Sequence, residues 1–339
     1  ERRCRVACPG QAAGADGASI GKLIQAAGWS AGFGNYLGAL LFAIGGAAFA
    51  SCTSLAAVTL PAGLADIGNN LFDSCTALTS VSIPASVATL GSGAFYNCTG
   101  LTEMAIPTNV TSIGDSAFAA CTQLASATLP AGLTSIGNSL FDSCYCLTNV
   151  SIPDGVTAIG DCAFCNCTSL TNVSIPNAVT YLGYAAFYTC ASLASATIPA
   201  GLTSVSEEAF GNCSSLARVY FRGDAPWMDG YVFENTYPTL YYLSGTMGWE
   251  DAASNTGLST VLWDPVIRAG SLGFGLIGDG FYFNISGTAD IPIEVDACTD
   301  LVKGDWAPLL TTTLTDGSLD FTDPSFTNCP VRFYRISGP

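Results

Sequence analysis

The chain has 339 residues, of which only 11% are charged, and it is long enough for roughly two or three domains. Acidic residues outnumber basic ones by 26 to 10, the net charge is −16 at pH 7, and no Lys or Arg occurs between Lys22 and Arg218. Such a chain is repelled by phosphate backbones and anionic membranes. We therefore expect no nucleic-acid binding. The absence of histidine removes the commonest general base and all His-ligated metal sites, and we expect no cofactor.

Residues 1–35 precede any repetition. They carry Arg2, Arg3 and Arg5 among many Ala and Gly, and they lack an apolar core long enough for export. We expect a disordered or truncated leader, with any export signal further upstream. The apolar run from Tyr36 to Cys52 resembles a signal-peptide core, but its Leu, Ile and Phe fit the spacing of the repeat that follows, so we interpret it as a degenerate first coil.

A 23-residue repeat fills the middle of the chain. Cysteines recur every 23 residues from Cys52 to Cys213, each with a Phe three residues before it and a Leu three residues after it. Val, Met or Ala stands six residues after the cysteine and Leu or Ile eight after it, with Phe221 in the last copy, and Pro follows at once in seven copies. Two columns of this repeat form the predicted structural ladder: Phe72, Phe95, Phe118, Phe141, Phe164, Phe187 and Phe210, with Cys75, Cys98, Cys121, Cys144, Cys167, Cys190 and Cys213.

The repeat predicts a stack of coils. Alternation such as Val81 and Ile83 against Ser80 and Ser82 indicates a short strand, which the following Pro ends. A Gly further on permits a turn, and the polar residue after it is predicted to cap a short helical turn that carries the Phe inward; these cap residues include Asn69, Asp115, Asn138 and Asp161. One coil cannot bury its own apolar residues, so the coils must stack. Residues 36–243 are therefore predicted to form a solenoid of eight clear repeats plus degenerate terminal coils, with a parallel β-sheet on one side and short helical turns on the other.

The repeat resembles a known family. The pattern IP-x-x-V-x-x-IG-x-x-AF-x-x-C-x-x-L-x-x-V, over roughly residues 37 to 243, is similar to the BspA-like leucine-rich repeats of bacterial secreted and surface proteins. The resemblance implies a curved leucine-rich-repeat solenoid displayed outside the cell, often in adhesion. It supplies neither a ligand nor catalytic residues.

Five cysteines lie between Cys144 and Cys167. The two end ones belong to the ladder, where buried thiols are expected to stay reduced. Cys146, Cys162 and Cys165 replace mostly polar or small residues of other coils and are expected to face outward. A zinc site is disfavoured because its four ligands must converge, so no metal is expected; inert thiols are preferred, and a Cys162–Cys165 disulfide stays open.

From about residue 220 onward, the residues at the repeat positions become larger or charged. Arg222, Trp227, Tyr241, Tyr242 and Trp249 are large or charged where earlier coils are small, which favours a cap over the last coil and leaves a binding patch as the alternative. Residues 244–270 are assigned to this cap and a linker.

Residues 271–339 read as short strands separated by Gly, Pro, Asp and Asn, which predicts a small all-β, sandwich-like domain. It resembles C-terminal modules of secreted repeat proteins, through the final RFYRI. GFGLIG, from Gly273 to Gly278, matches a dinucleotide-binding pattern, but a strand rather than a helix follows it, so that function is rejected. A disulfide between Cys298 and Cys329 stays open.

Two functions are compared. One is an extracellular or cell-surface recognition or adhesion module for a protein or glycan, with Arg218, Tyr220, Trp227 and Tyr241 as candidate binding residues; the other is a spacer that only displays the C-terminal domain. Ice binding through Ser and Thr on the sheet is disfavoured because Ala105 interrupts them. Catalysis is not expected, since Glu207 and Glu208 are adjacent in the chain and cannot flank one bond. We expect a secreted or surface-located monomer without an integral membrane segment.

Overall fold

The computed structural model describes residues 46–60, 62–269, 274–277, 280–302, 306–326 and 331–337. The leader 1–35 and most of the degenerate first coil lie outside these residues. Two compact units are present. The first runs to Leu240 and includes Met247–Ser259, and the second comprises Tyr241–Thr246 and the residues from Thr260 onward.

The first unit is the predicted solenoid, and one strand of each coil builds its parallel sheet. Strands 23 residues apart pair in register, as Glu103 does with Ser126 and Ser126 with Asn149. In each of these strands the middle residue points inward and its neighbours point out, because side chains alternate along a strand. The strands are β1 (Ala57–Thr59), β3 (Ser80–Ser82), β5 (Glu103–Ala105), β7 (Ser126–Thr128), β9 (Asn149–Ser151), β11 (Asn172–Ser174), β13 (Ser195–Ile198), β14 (Arg218–Phe221) and β15 (Thr239–Tyr242).

A second set of strands, which the sequence reading did not predict, runs along another side of the solenoid. Each has two residues, an outward one followed by an inward Leu or Ile. Asp66, Thr89 and Ser112 are successive partners, and so are Ser135, Ala158 and Tyr181. The strands are β2 (Asp66–Ile67), β4 (Thr89–Leu90), β6 (Ser112–Ile113), β8 (Ser135–Ile136), β10 (Ala158–Ile159) and β12 (Tyr181–Leu182).

Glycine ends most of these short strands because the coils approach closely there. The Gly183 N–H donates to the Ile159 carbonyl at 2.9 Å, and a Cβ added to Gly183 would lie 2.6 Å from the backbone nitrogen of Asp161. A side chain at this position would push the coils apart.

The third side consists of tight turns rather than the predicted short helical turns. In one coil Tyr96 N–H donates to Gly93 O and Cys98 N–H to Phe95 O, three residues back in each case. In the same turn, the Phe95 N–H instead donates to Ala117 O of the next coil, at 2.8 Å. Each coil also places residues at positive φ here, such as Asn97 at 55°, which a helix excludes. The turns therefore hydrogen-bond between coils, as the two strand sets do.

The predicted helix caps bond to the next coil instead of to their own. Asn69 Oδ1 accepts the backbone N–H of Ser92, and Asp115 Oδ1 accepts that of Asn138. In the same way, Asn138 Oδ1 accepts the backbone N–H of Asp161, and Asp161 Oδ1 accepts that of Tyr184. The capping prediction is wrong because no helix forms here, and the carboxyl or amide oxygen satisfies an N–H 23 residues later.

The Phe and Cys columns occupy the interior. Successive rings from Phe49 to Phe233 stack with centroids 5.1 to 5.8 Å apart and planes within 18° of parallel. Each thiol from Cys75 to Cys213 lies 3.1 to 3.2 Å from the carbonyl of the Phe 26 residues earlier and donates to it. Burial raises the pKa of Cys75 to about 11 and that of Cys213 to about 12, so these thiols stay neutral donors.

Cys52 departs from the predicted behaviour of the ladder thiols because it forms a disulfide. Cys75 and the later ladder cysteines are free, so this bond is not one between adjacent rungs.

The end of the first unit is covered by α1 (Trp249–Thr256). Trp249 is buried and meets the ring of Phe221 edge-on, with centroids 4.8 Å apart. Thr239 N–H donates to Ala217 O at 2.9 Å, which continues the coil-to-coil bonding into β15.

The second unit is all-β, in agreement with the prediction. One antiparallel sheet has the order β17-β19-β18, with β22 also paired to β19, and the other has the order β21-β20-β23. Tyr334 of the second sheet stacks on Phe281 at 5.4 Å and meets Phe283 at 5.1 Å. The strands are β16 (Thr260–Leu262), β17 (Val266–Arg268), β18 (Gly275–Ile277), β19 (Gly280–Ser286), β20 (Ile291–Cys298), β21 (Ala307–Leu314), β22 (Ser318–Asp323) and β23 (Phe333–Ser337).

Candidate interaction surface

The four candidate binding residues are not exposed together. Trp227 is 61% exposed and Arg218 is partly exposed, whereas Tyr220 and Tyr241 are buried, at 7% and 8%. The alternation of side chains along a strand would put Tyr220 on the outer side of the parallel sheet. That side is exposed on β5, β7, β9 and β11 but covered on β14, so the Tyr220 ring does not reach solvent.

The exposed part of the parallel sheet is small and weakly polar. Its two outward rows are Ala57, Ser80, Glu103, Ser126, Asn149 and Asn172, and Thr59, Ser82, Ala105, Thr128, Ser151 and Ser174. High-affinity interfaces concentrate Trp, Tyr and Arg anchors, and neither row has one. We therefore do not place the main contact here.

Four of the exposed aromatic residues lie beside the second strand set, while Tyr96, Tyr145 and Tyr237 are exposed elsewhere in the unit. We call Tyr181, Tyr184, Trp227 and Tyr231 the aromatic surface; their exposed fractions are 50%, 44%, 61% and 62%. All four belong to the last coils of the first unit. Large exposed rings of this kind are enriched at binding sites because they bring apolar area with little loss of side-chain entropy.

The coil geometry brings Tyr181 and Trp227 into one row. Tyr181 is the outward residue of β12, and Trp227 forms a parallel bridge with Ser204, which holds the same repeat position one coil earlier. Trp227 N–H donates to Thr203 O at 2.8 Å, and Val205 N–H donates to Trp227 O at 3.0 Å. The two rings are thus two rungs apart, about 10 Å at ~4.8 Å per rung, with the small Ser204 between them.

Hydrogen bonds with Asp161 and Glu208 link the remaining tyrosines to this row. Asp161 Oδ1 accepts from the Tyr181 hydroxyl at 3.3 Å and from Tyr184 N–H at 2.9 Å. The Tyr184 hydroxyl donates to Glu208 Oε2 at 2.9 Å, and Glu208 N–H donates to Tyr231 O at 3.1 Å. The Asp161 and Glu208 carboxylates therefore hold the hydroxyls of Tyr181 and Tyr184, whereas Tyr231 is joined to Glu208 only through the backbone.

The same contacts shift the phenol pKa values. The hydrogen bond to Glu208 is the main cause that raises the pKa of Tyr184 to about 12. Partial burial, followed by the charge of Asp161 and the hydrogen bond to it, raises the pKa of Tyr181. Both phenols are therefore neutral hydrogen-bond donors at physiological pH.

Sequence reasoning found Trp227 but missed Tyr181, Tyr184 and Tyr231. The missed signal is in the 23-residue alignment: Tyr181 and Trp227 follow Asp66, Thr89, Ser112, Ser135 and Ala158 at one repeat position. Residue type at that position does not indicate a surface by itself, because only the second strand set shows that its side chain points outward.

The three cysteines outside the ladder behave differently from one another. Cys146 is exposed and Cys162 is partly exposed, but Cys165 is buried, so the prediction that all three face outward is wrong for Cys165. The turn folds Cys165 back on Cys162, with the Cys165 N–H donating to the Cys162 carbonyl at 3.0 Å, and both thiols are free. Cys298 is also a free, buried thiol, while Cys329 lies outside the described residues.

Within the described ranges, no three or more His, Cys, Asp or Glu side chains are grouped so as to hold a metal ion. No helix in that part of the chain has both the length and the apolar character needed to cross a membrane.

The family model for the BspA type leucine rich repeat region matches residues 39–148 and 134–246, in 6 copies. Together these ranges cover more than half of the chain. No curated protein matches the sequence.

Several solved structures are similar to part of this chain. A leucine-rich repeat protein from Bacteroides ovatus ATCC 8483 is 25% identical with a TM-score of 0.52, and the match covers 65% of this chain and 64% of that one. A leucine rich cell surface protein from Faecalibacterium prausnitzii A2-165 is 25% identical over 65% of this chain and 82% of that one, with a TM-score of 0.45. The pneumococcal vaccine antigen PcpA is 19% identical over 62% and 68%, with a TM-score of 0.42. The chain spans less than two thirds of the length of the Bacteroides ovatus protein.

Proposed function

We propose, from the premise that this chain belongs to the BspA-type leucine-rich repeat family, that its solenoid is a recognition module displayed outside the cell. In this role it binds a protein or glycan partner through the exterior of its last coils. The proposal includes no catalytic step, because a repeat solenoid of this kind is a scaffold for contacts.

The observation that carries the proposal is the aromatic surface. Four half-exposed to largely exposed rings lie on two coils separated by one other, in a solenoid whose open sheet is small and weakly polar. A protein that only spaced other domains apart would gain nothing from exposed Trp and Tyr at these positions. Trp and Tyr are the side chains that most often dominate binding energy at interfaces.

Two of the four candidate binding residues keep their proposed role and two lose it. Trp227 remains a proposed anchor, and the partly exposed Arg218 on β14 remains a proposed partner-facing residue. Tyr220 and Tyr241 are buried, so their substitution by Ala is expected to affect stability rather than contact. Tyr181 and Tyr231 replace them as the proposed anchors.

The test compares binding with stability. Immobilised protein is offered to defined cell-surface glycans and purified matrix proteins, and retention is measured for the original chain and for Trp227→Ala. We expect the variant to lose roughly tenfold or more in affinity for the retained partner, with an unchanged melting temperature.

The matched control is Tyr96→Ala. The Tyr96 side chain is 43% exposed, nearly the same fraction as Tyr184, but it lies outside the aromatic surface. Its loss should leave retention unchanged. Retention that is equally insensitive to Trp227→Ala and Tyr96→Ala, or absent for every partner, would instead support the alternative that the solenoid is a spacer.

A further inference from the structure

We infer that the aromatic surface takes a basic, extended polypeptide segment, whose Lys or Arg side chains lie over the rings and beside the carboxylates. This inference rests on the proposed function, because it names the class of partner for the same surface.

The charged side chains that hydrogen-bond to Tyr181, Tyr184 and Tyr231 are all carboxylates, and the basic residues Arg218 and Arg222 lie earlier in the chain than Trp227. Asp161 and Glu208 hydrogen-bond directly to the tyrosine hydroxyls, and Asp229 Oδ1 accepts the backbone N–H groups of Tyr231 and Val232. Glu207 is exposed in the turn that carries Glu208. Nine acidic residues and no basic one lie between Lys22 and Arg218. A negative potential attracts cationic partners and repels nucleic acids and sulfated glycans.

Rings and carboxylates together suit a cation better than a neutral ligand. A Lys or Arg side chain within about 6 Å of a ring centroid is attracted to the electron-rich face. Here the ring edges are bonded to carboxylates, so a cation over the face of Tyr181 or Tyr184 also lies close to Asp161 or Glu208. A neutral sugar would stack on the same rings but would draw no net benefit from the negative charge.

The spacing of the row selects an extended segment. Tyr181 and Trp227 are two rungs apart, about 10 Å. A polyproline-type segment repeats the direction of its side chains every three residues, a rise of about 9 Å. Basic residues at every third position would therefore meet both rings at once, with the residues between them passing over Ser204.

The experiment uses the full chain and three probes. These are a synthetic peptide with Lys at every third position among Pro and Gly, the same peptide with Glu in place of Lys, and the neutral oligosaccharide cellohexaose. Binding is measured by titration calorimetry at low and high salt. We expect the Lys peptide to bind with an affinity that falls as salt rises, and the other two probes to bind at least roughly tenfold more weakly.

Variants separate a specific site from general attraction to an acidic protein. Trp227→Ala and the double variant Glu207→Gln with Glu208→Gln should each weaken Lys-peptide binding roughly three- to tenfold. Glu103→Gln removes a carboxylate from the open sheet, away from the aromatic surface, and should change nothing. A peptide with the same number of lysines placed side by side should bind more weakly than the spaced one.

The outcomes distinguish the two proposals. Equal loss with Glu103→Gln and with the double variant, or no loss with Trp227→Ala, would mean that the peptide binds by overall charge and would overturn the inference. Cellohexaose binding that disappears in Trp227→Ala, without Lys-peptide binding, would overturn the basic segment but keep the recognition role. No binding of any probe, together with no retention in the partner panel, would overturn both.

Discussion

The interior and the exterior of the solenoid share one 23-residue period but vary in opposite ways. Every described coil presents Phe to the ring column, and the stacking distance stays between 5.1 and 5.8 Å. At the outward position of the second strand set, the residue changes from Asp66 to Thr89 and later to Tyr181 and Trp227. Packing between coils constrains the first position, whereas solvent leaves the second free. Regularity inside therefore reports stability, and departures from it outside report function.

Thiol reactivity should show the largest difference between interior and exterior. Cys146 is exposed, whereas burial raises the pKa of Cys121 and Cys190 well above the ordinary value for a thiol. Because the thiolate is the reactive form and reaction inside needs the coil to open, we expect Cys121 to be alkylated on the order of a thousandfold more slowly than Cys146. Peptide mapping after a time course of alkylation measures this. In denaturant the two rates should converge, and similar rates in the native protein would show that the interior is open.

Removing one ring from the column should have the next largest effect. Phe141 is fully buried between Phe118 and Phe164, at 5.6 Å from each. We expect Phe141→Ala to lower the free energy of unfolding by about 3 to 5 kcal/mol, because it leaves a cavity and breaks two ring contacts. Urea unfolding followed by circular dichroism measures the loss.

Tyr145, four residues later in the same coil, is the control for this substitution. It is 46% exposed, and Tyr145→Ala should change the stability by no more than about 0.5 kcal/mol. Equal losses for Phe141→Ala and Tyr145→Ala would contradict the contrast between inside and outside.

The same contrast explains which features sequence reasoning could predict. The inward columns repeat without a gap, so the coil, the parallel sheet and the buried Phe and Cys follow from spacing and from the need to stack apolar faces. The two-residue strands were missed because a single outward residue before an inward one has no alternation to read. The turns were taken for helical ones because the positive φ values at Asn97 and Cys162 are not visible in residue type alone.

The candidate site was harder to predict than the fold for a related reason. Tyr220 and Tyr241 were chosen because they are large residues at positions where earlier coils carry small ones, and residue type alone does not show that both side chains are buried. Tyr181 and Tyr231 lie on two different sides of the coil by sequence, one before the Gly and one after it. The link between them runs through Asp161, Tyr184 and Glu208, and its last step is the backbone bond from Glu208 N–H to Tyr231 O, which sequence alone does not reveal.

The bonds between coils on the turn side should contribute less than the ring column. Asn138 Oδ1 accepts the N–H of Asp161 at 2.9 Å, at an exposed position. We expect Asn138→Ala to lower the free energy of unfolding by about 1 kcal/mol, since the N–H loses its partner but is reached by water. Asn138→Asp keeps an acceptor, as Asp115 does one coil earlier, and should stay close to the original stability. Faster amide hydrogen exchange at Asp161 in the Ala variant alone would confirm the bond, and unchanged exchange would contradict it.

The smallest expected effect lies on the exterior, at Tyr184. Its pKa is raised to about 12, chiefly by the hydrogen bond to Glu208, against an ordinary value near 10. The folded protein therefore favours the neutral phenol, and this contribution is present below about pH 10 and is lost as the pH rises through about 12. Tyr184→Phe should remove one late-titrating phenol from an ultraviolet pH titration. Glu208→Gln removes the charge but keeps an oxygen acceptor, and should move that titration towards lower pH. A Tyr184→Phe variant that instead lost a phenol with the ordinary pKa would show that Glu208 does not hold the ring, and the carboxylate link between Tyr184 and the rest of the aromatic surface would fail with it.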